Sequence, residues 1–390
     1  MLNGNECRER KVKKVLFFIE SLAGGGAEKV LSDIICNLDQ NKFDVTVCTV
    51  TDDDVYQEQV SRVCNYRSFL HKKNYNAGGI RKVLFWIGIK LIYLLPTALT
   101  YRIFLNERYD VEVAFVEGFA TKLIASSSNS KSKKIAWVHI DMIQNAYADS
   151  CYKNIDEHIA TYKKFQKIAC VSRSVMEAFV QKFAFKENVC IQYNPVDEKK
   201  IICKGKEPIR LKKRRKVLLG TIGRLEEQKG YKRLLECIRK VAVENSDFEV
   251  WIIGDGSQRK DLQDYIDKNG LKNIVTLVGF QKNPYSYINC CDAFICSSYA
   301  EGFSTAATES LILGKPIFTV DCAGMEELFG DKKCGIIVPN SDDALCQMLK
   351  QIVLGNIHID SYYPDVVTRA KDFRLLSRIQ EVESLLVGKN

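Results

Sequence analysis

Lys14-Val15-Leu16-Phe17-Phe18-Ile19-Glu20 is a run of β-formers; Gly24-Gly25-Gly26 follows, and Ala27 to Asn37 then carries apolar residues at helical spacing. Phe43 to Val50 is a second β-forming run. Strand, glycine turn, helix and strand make a βαβ unit, which predicts a parallel sheet. Val111 to Val116, Ile135 to His139, Lys167 to Ser172 and Val189 to Tyr193 read as later strands of the same half. The pattern restarts after a basic stretch, Lys204 to Lys216. Strands at Val217–Ile222, Phe248–Ile253, Val275–Val278, Ala293–Cys296 and Pro316–Val320 alternate there with helices at Tyr231–Glu244, Gln258–Asn269 and Pro284–Cys290. The tail from Val366 to Leu386 reads as helix. The expected fold class is α/β, two doubly wound Rossmann-like domains facing a cleft. Residues 1–200 form the first domain and 201–365 the second. A C-terminal helix in 366–390 is expected to pack back on the first. The run Lys212-Lys213-Arg214-Arg215-Lys216 reads as a solvated linker, with a membrane-surface patch as the alternative.

Bulk properties bound the function. A chain of 390 residues is long for one core, which agrees with two domains. With 46% hydrophobic and 27% charged residues it has the composition of a soluble globular protein. The net charge of +9 suits a phosphate-bearing partner, but it is too diffuse to indicate nucleic acid, and no nucleic-acid partner is expected. The 15 cysteines lie in apolar runs without CxxC pairs, so they read as buried free thiols in a reducing cytoplasm. Met1 to Lys14 is polar and basic and shows no signal-peptide pattern. Val83 to Leu105 is apolar but interrupted by Lys90, Pro96 and Arg102. It falls short of the roughly 20 apolar residues of a spanning helix. It reads either as a core-packed helix or as an interfacial one, with Arg81, Lys82 and Lys90 near lipid phosphates. The expected location is the cytoplasm, with the inner membrane face as a peripheral site.

The chemistry concentrates at strand ends. Glu301-Gly302-Phe303-Ser304-Thr305-Ala306-Ala307-Thr308-Glu309 places two carboxylates across a strand-to-helix loop. Ligands of open α/β sheets bind at that edge, and a helix N-terminus suits anionic or hydroxyl-rich groups. Either Glu alone reads as a cap or a solvated residue; the pair flanking Gly302 and Ser304 points to a site. Gly223-Arg224-Leu225-Glu226-Glu227-Gln228-Lys229-Gly230 lies at the same edge. Arg224 and Lys229 on that loop can clamp a diphosphate, Arg by fork geometry and Lys as a point charge. Gly254-Asp255-Gly256 after the next strand is a turn signal first and allows close ligand approach second, and Gly279-Phe280 closes the strand after that, where a base could stack or pair. In the first half, Gly25 and Gly26 lack GxGxxG spacing, so a dinucleotide fingerprint is not supported. His139 closes an apolar strand and is as apt for a structural role as for a catalytic one. Asp52-Asp53-Asp54 reads as a solvated loop rather than a metal site.

Taken in order, Gly25 to Glu28, Asn194-Pro195-Val196-Asp197, the Arg224…Lys229 loop and Glu301…Glu309 resemble the retaining glycosyltransferases of the GT-B fold, family 4. The likeness is to bacterial members that build capsules, exopolysaccharides and lipid-linked glycans, and it spans nearly the whole chain. It implies an acceptor-side first domain and a nucleotide-sugar-binding second domain. It implies hexosyl transfer from a nucleotide diphosphate sugar, UDP before GDP, to a growing, polyprenyl-diphosphate-linked glycan. Arg224 and Lys229 would hold the diphosphate, Glu301 with Phe303 and Ser304 the donor sugar, and Glu309 the ribose. Gly25 would admit the phosphates, and His139 would sit near the acceptor and the reacting carbon. Gly26, Gly223, Gly254, Gly279, Phe280 and Thr305 complete the expected binding set. No metal, cofactor or protein nucleophile is required, the nucleotide sugar being a co-substrate. The competing readings are a non-catalytic GT-B partner subunit and a nucleotide-sugar enzyme of another class, such as an epimerase. A partner subunit would be expected to have lost a clamp cation or carboxylate.

Overall fold

The computed structural model describes residues 12–52, 54–76 and 79–388. Seven parallel strands form the first sheet: β1 (Lys13–Phe18), β2 (Phe43–Thr51), β3 (Asn65–Leu70), β4 (Val111–Ala114), β5 (Lys133–Val138), β6 (Lys167–Cys170) and β7 (Val189–Ile191). Their order is β3-β2-β1-β4-β5-β6-β7. Six more form the second sheet: β8 (Val217–Ile222), β9 (Phe248–Ile253), β10 (Val275–Gly279), β11 (Ala293–Cys296), β12 (Ile317–Val320) and β13 (Gly335–Val338). Their order is β10-β9-β8-β11-β12-β13. Val15 pairs with both Val45 and Val111, and Leu219 with both Val250 and Ala293. Val15 to Phe18 are buried on both faces, as strands covered by helices on either side must be.

Strand order reverses between β1 and β4 in one sheet and between β8 and β11 in the other. These are the switch points where the loops at the carboxyl ends splay apart and leave a crevice. The loops leaving those four strands carry Gly24–Gly26, Glu117, Arg224 and Glu301.

Two edge strands, β3 and β13, escaped the sequence reading. Asn65-Tyr66-Arg67-Ser68 mixes polar residues into the first, and the second is only half-buried. The 200/201 boundary falls inside a helix, Glu198–Gly205. Its Ile201 packs with Tyr285 and Ile312 of the second half. The tail is two helices, not one. Tyr363–Ala370 lies on the second half, where Arg369 Nε donates to the Leu328 carbonyl at 2.9 Å. Leu375–Val387 lies on the first, where Lys133 Nζ donates to the Leu385 carbonyl at 2.7 Å and Lys42 pairs with Glu383 at 2.8 Å.

Helix Gly79–Leu94 departs from the core-packed alternative. Only Phe85 and Ile92 are buried. Ile80, Val83, Leu84, Trp86, Ile87, Leu91 and Leu94 stand exposed. Among the described residues, no helix is long and apolar enough to cross a membrane. The described cysteines are free thiols, with Cys203 and Cys290 exposed rather than buried.

Candidate active site

The carboxyl ends of both sheets face one cleft of about 1940 Å³, walled by both halves. On the second half, Gly254 has φ +144°, and a Cβ there would collide with the Gly223 carbonyl. Only glycine lets the ends of β8 and β9 approach so closely. Beyond Gly223, Arg224 stands exposed on the cleft wall. Lys229 closes a one-turn 3-10 helix, Glu227–Lys229, and its Nζ lies 2.7 Å from Glu301 Oε1. Ser298 Oγ donates to the same oxygen at 2.6 Å. Burial alone would pull the Lys229 ammonium down, but the charge and hydrogen bond of Glu301 outweigh it and hold the pKa above its ordinary value. Lys229 therefore stays a cation inside the cleft wall.

Ser304 caps helix Thr305–Ile312, its Oγ accepting from the Ala307 amide at 3.3 Å. That cap fixes the turn which sends Glu309 inward. Tyr285 Oη donates to Glu309 Oε1 at 3.4 Å, and Lys29 of the first half approaches the same oxygen at 2.7 Å. Phe303 is buried against Tyr193, ring centroids 5.7 Å apart. At Gly302 the two halves come into close contact. A Cβ there would strike the His139 carbonyl, and Ser172 Oγ donates to the Gly302 carbonyl at 3.1 Å.

The first-half wall is differently built. The Gly24–Gly26 loop faces Phe280 and Thr305 across the cleft. The carboxylate of Glu28 folds back over Gly25 and accepts from its own amide, at the start of helix Gly26–Asn37. A helix N-terminus favours such an anion. Burial raises the Glu28 carboxyl, while nearby Arg224 works against the rise. Glu117 accepts from the amides of His139 and Ile140, the latter at 3.1 Å, and from Tyr147 Oη at 3.2 Å. Burial lifts its carboxyl above the ordinary range. His139 packs beside Phe115, centroids 5.0 Å apart, and burial pushes its pKa down to about 3. Its Nε2 and Asn194 Oδ1, both on cleft-lining residues, are buried without a partner in the protein. Orphaned atoms of this kind are rare unless something else satisfies them. Glu20 accepts from Tyr93 Oη, so helix Gly79–Leu94 reaches the cleft through one side chain.

The residues singled out from sequence converge here with one exception. Gly279 does not line the cleft; its carbonyl accepts from the Gly254 amide at 2.9 Å and backs the wall. The acidic triplet is not uniformly solvated. The Asp54 side chain is 2% exposed, accepts from the Leu22 amide at 2.8 Å and pairs with Lys72, while Asp53 lies outside the described residues. Among the described residues no His, Cys, Asp or Glu cluster could hold a metal ion. Lys29, Glu117 and Glu20 were missed, and Glu28 was read only as part of the Gly25–Glu28 motif, without a role of its own. Glu117 had a legible signal, a carboxylate directly after a buried strand. Lys29 had a weaker one, its place in the first turn after the glycine triplet.

Two family models match consecutive parts of the chain: Glycosyltransferase Family 4 over residues 24–200 and Glycosyl transferases group 1 over 205–361. A Campylobacter jejuni relative, N-acetylgalactosamine-N,N'-diacetylbacillosaminyl-diphospho-undecaprenol 4-alpha-N-acetylgalactosaminyltransferase, is 28% identical, covering 97% of this chain and 100% of its own. The lipopolysaccharide 1,6-galactosyltransferase of Salmonella typhimurium is 22% identical over 91% of this chain and 92% of its own. Among solved structures, Anabaena HepE in complex with UDP and glucose superposes with a TM-score of 0.72 at 19% identity, over 96% of this chain and 99% of that one. Apo WaaB, a lipopolysaccharide outer core galactosyltransferase, gives 0.64 at 18% identity, over 97% and 100%. With two parallel α/β domains around one cleft and both family models matched in order, the chain is a GT-B glycosyltransferase of the family 4 group.

Proposed function

We propose that the protein transfers a hexose or N-acetylhexosamine from a nucleotide diphosphate sugar, a UDP-sugar by preference, to a polyprenyl-diphosphate-linked glycan in cell-surface polysaccharide synthesis. The observation that carries this reading is the convergence of Arg224, Lys229, Glu301 and Glu309 on one cleft wall. Two cations suit a diphosphate, and two carboxylates suit the diols of a sugar and a ribose. The full-length Campylobacter relative, named for a diphospho-undecaprenol acceptor, and the UDP held by HepE support the two substrates.

Transfer then proceeds with retention. The bond from C1 to the diphosphate oxygen breaks while the acceptor oxygen bonds C1 on the same face. The acceptor proton passes to the leaving phosphate oxygen. Arg224 and Lys229 meet the negative charge that grows on that group, the kind of preorganised stabilisation that dominates such steps. Glu301, held by Lys229 and Ser298, receives sugar hydroxyls through its remaining oxygen. His139, neutral at pH 7, offers a hydrogen-bonding nitrogen rather than an acid. No metal ion is invoked.

The exposed apolar helix supports a peripheral membrane location. Ile80, Leu84, Ile87 and Leu91 would enter the headgroup boundary, with Arg81, Lys82 and Lys90 against phosphates. The Tyr93–Glu20 hydrogen bond gives that helix a direct link to the cleft. Thermal-shift measurement against UDP- and GDP-sugars tests the donor. A ligand that binds only the folded state raises Tm, and no shift with any nucleotide sugar sinks the reading.

A further inference from the structure

Lys29 is not part of the donor set derived above, yet it sits at the seam between the halves. It projects from the first turn of helix Gly26–Asn37, with Asp33 one turn along, 3.0 Å away. Across the cleft its Nζ lies 2.7 Å from Glu309 Oε1, on helix Thr305–Ile312. Lys200, on the junction helix Glu198–Gly205, stands 3.8 Å from Asp33. The Glu309 and Asp33 side chains are 6% and 4% exposed, and that of Lys29 is 16% exposed. Two cations and two carboxylates thus form a neutral cluster drawn from both halves and their junction. Removing Lys29 would take from Asp33 and Glu309 the cation that both contact.

The placement argues for more than stability. A buried ion pair is often replaceable by apolar packing at no cost. This one lies in the wall of the cleft, and it joins the first half to the helix that carries Glu309. Both the Lys29 and Tyr285 contacts fall on Glu309 Oε1, which leaves Oε2 for a hydroxyl of a ligand.

We propose that Lys29 is a positioning residue for the nucleotide: its ion pair aims the Glu309 carboxylate at the ribose and ties the first half to the occupied nucleotide subsite. The inference rests on Glu309 being the ribose ligand. Burial would lower the Lys29 ammonium by itself, but Glu309 and Asp33 outweigh burial and keep it charged.

The test is calorimetric titration of UDP and GDP into the full chain and three variants, alongside steady-state kinetics with the matching sugar donor. Lys29→Met should weaken nucleotide binding about tenfold, or about 1.4 kcal/mol, and raise donor KM more than it lowers kcat. Lys29→Arg should restore most of the affinity. Lys29→Met/Asp33→Asn removes one charge of each sign, so the cluster's net charge stays zero, and it should show the same loss. If the wild type binds nucleotide and the double variant matches it, the inference fails while the donor reading stands. If the wild type binds neither nucleotide, the donor reading fails and takes the inference with it.

Discussion

The two halves share an architecture and differ in chemistry. Each is a parallel sheet with its crevice at a switch point. The second half presents its polar groups already paired and aimed: Lys229 on Glu301, Ser298 on Glu301, and Ser304 capping the helix that carries Glu309. The first half presents carboxyls raised by desolvation, Glu117 buried and Glu20 and Glu28 half-buried, an orphaned His139 nitrogen and a glycine loop. Beside them stands an exposed apolar helix. A site that binds one charged, well-defined ligand rewards fixed ion pairs. On the proposed function, the donor would lie on the ion-paired wall and the glycan acceptor on the wall beside the exposed apolar helix.

The largest expected effect tests the donor wall. Arg224 is exposed and makes no ion pair among the described residues, so Arg224→Ala should leave Tm unchanged while lowering kcat/KM on the order of 100- to 1000-fold, as loss of a transition-state charge partner does. Near-normal turnover would remove the clamp from the mechanism. Next comes the seam. Gly302→Ala would drive a methyl into the His139 carbonyl and part the walls, and misplacement of about 1 Å costs on the order of 100-fold in rate. Retained activity would mean that the walls do not need this contact.

Smaller effects bear on the first half. Leu84→Ser with Leu91→Ser should reduce co-sedimentation with anionic liposomes several-fold, since side chains in the headgroup boundary are only partly buried and lose only a fraction of the about 1.5–3 kcal/mol that full burial is worth. Nucleotide affinity should not change, and undiminished liposome binding would assign the apolar face another role. The smallest effect concerns pH. His139 is held near pKa 3 when folded, against 6.5 for the free side chain. Below pH 6.5 the unfolded chain takes up a proton that the folded one refuses. His139 therefore costs no stability above pH 6.5 and lowers it progressively as pH falls toward 3, by up to about 1.4 kcal/mol per unit. His139→Asn should flatten that decline in denaturant titrations between pH 6.5 and 4.5. The pH–rate profile of the wild type should show no inflection that His139→Asn abolishes.

By itself the sequence determined the alternation of strands and helices, because buried parallel strands are continuous apolar runs bounded by glycine turns. It also determined the donor-wall candidates, because Arg224, Lys229, Glu301 and Glu309 lie in loops or a helix start whose positions follow from that alternation. Edge strand β3 was not legible because Asn65, Arg67 and Ser68 break its apolar pattern, and β13 because its apolar run is only Gly335–Val338, closed off at once by Pro339. Only the tertiary structure decided which face of Gly79–Leu94 stays exposed, since its apolar residues surround the helix and periodicity cannot choose a side. Only it decided that the tail divides between the halves, that Gly302 lies against His139, and that Lys29 meets Glu309. Those last contacts join residues more than 150 positions apart, through the packing of two independent sheets. Local sequence carries no record of such a meeting, because the docking geometry belongs to both surfaces at once.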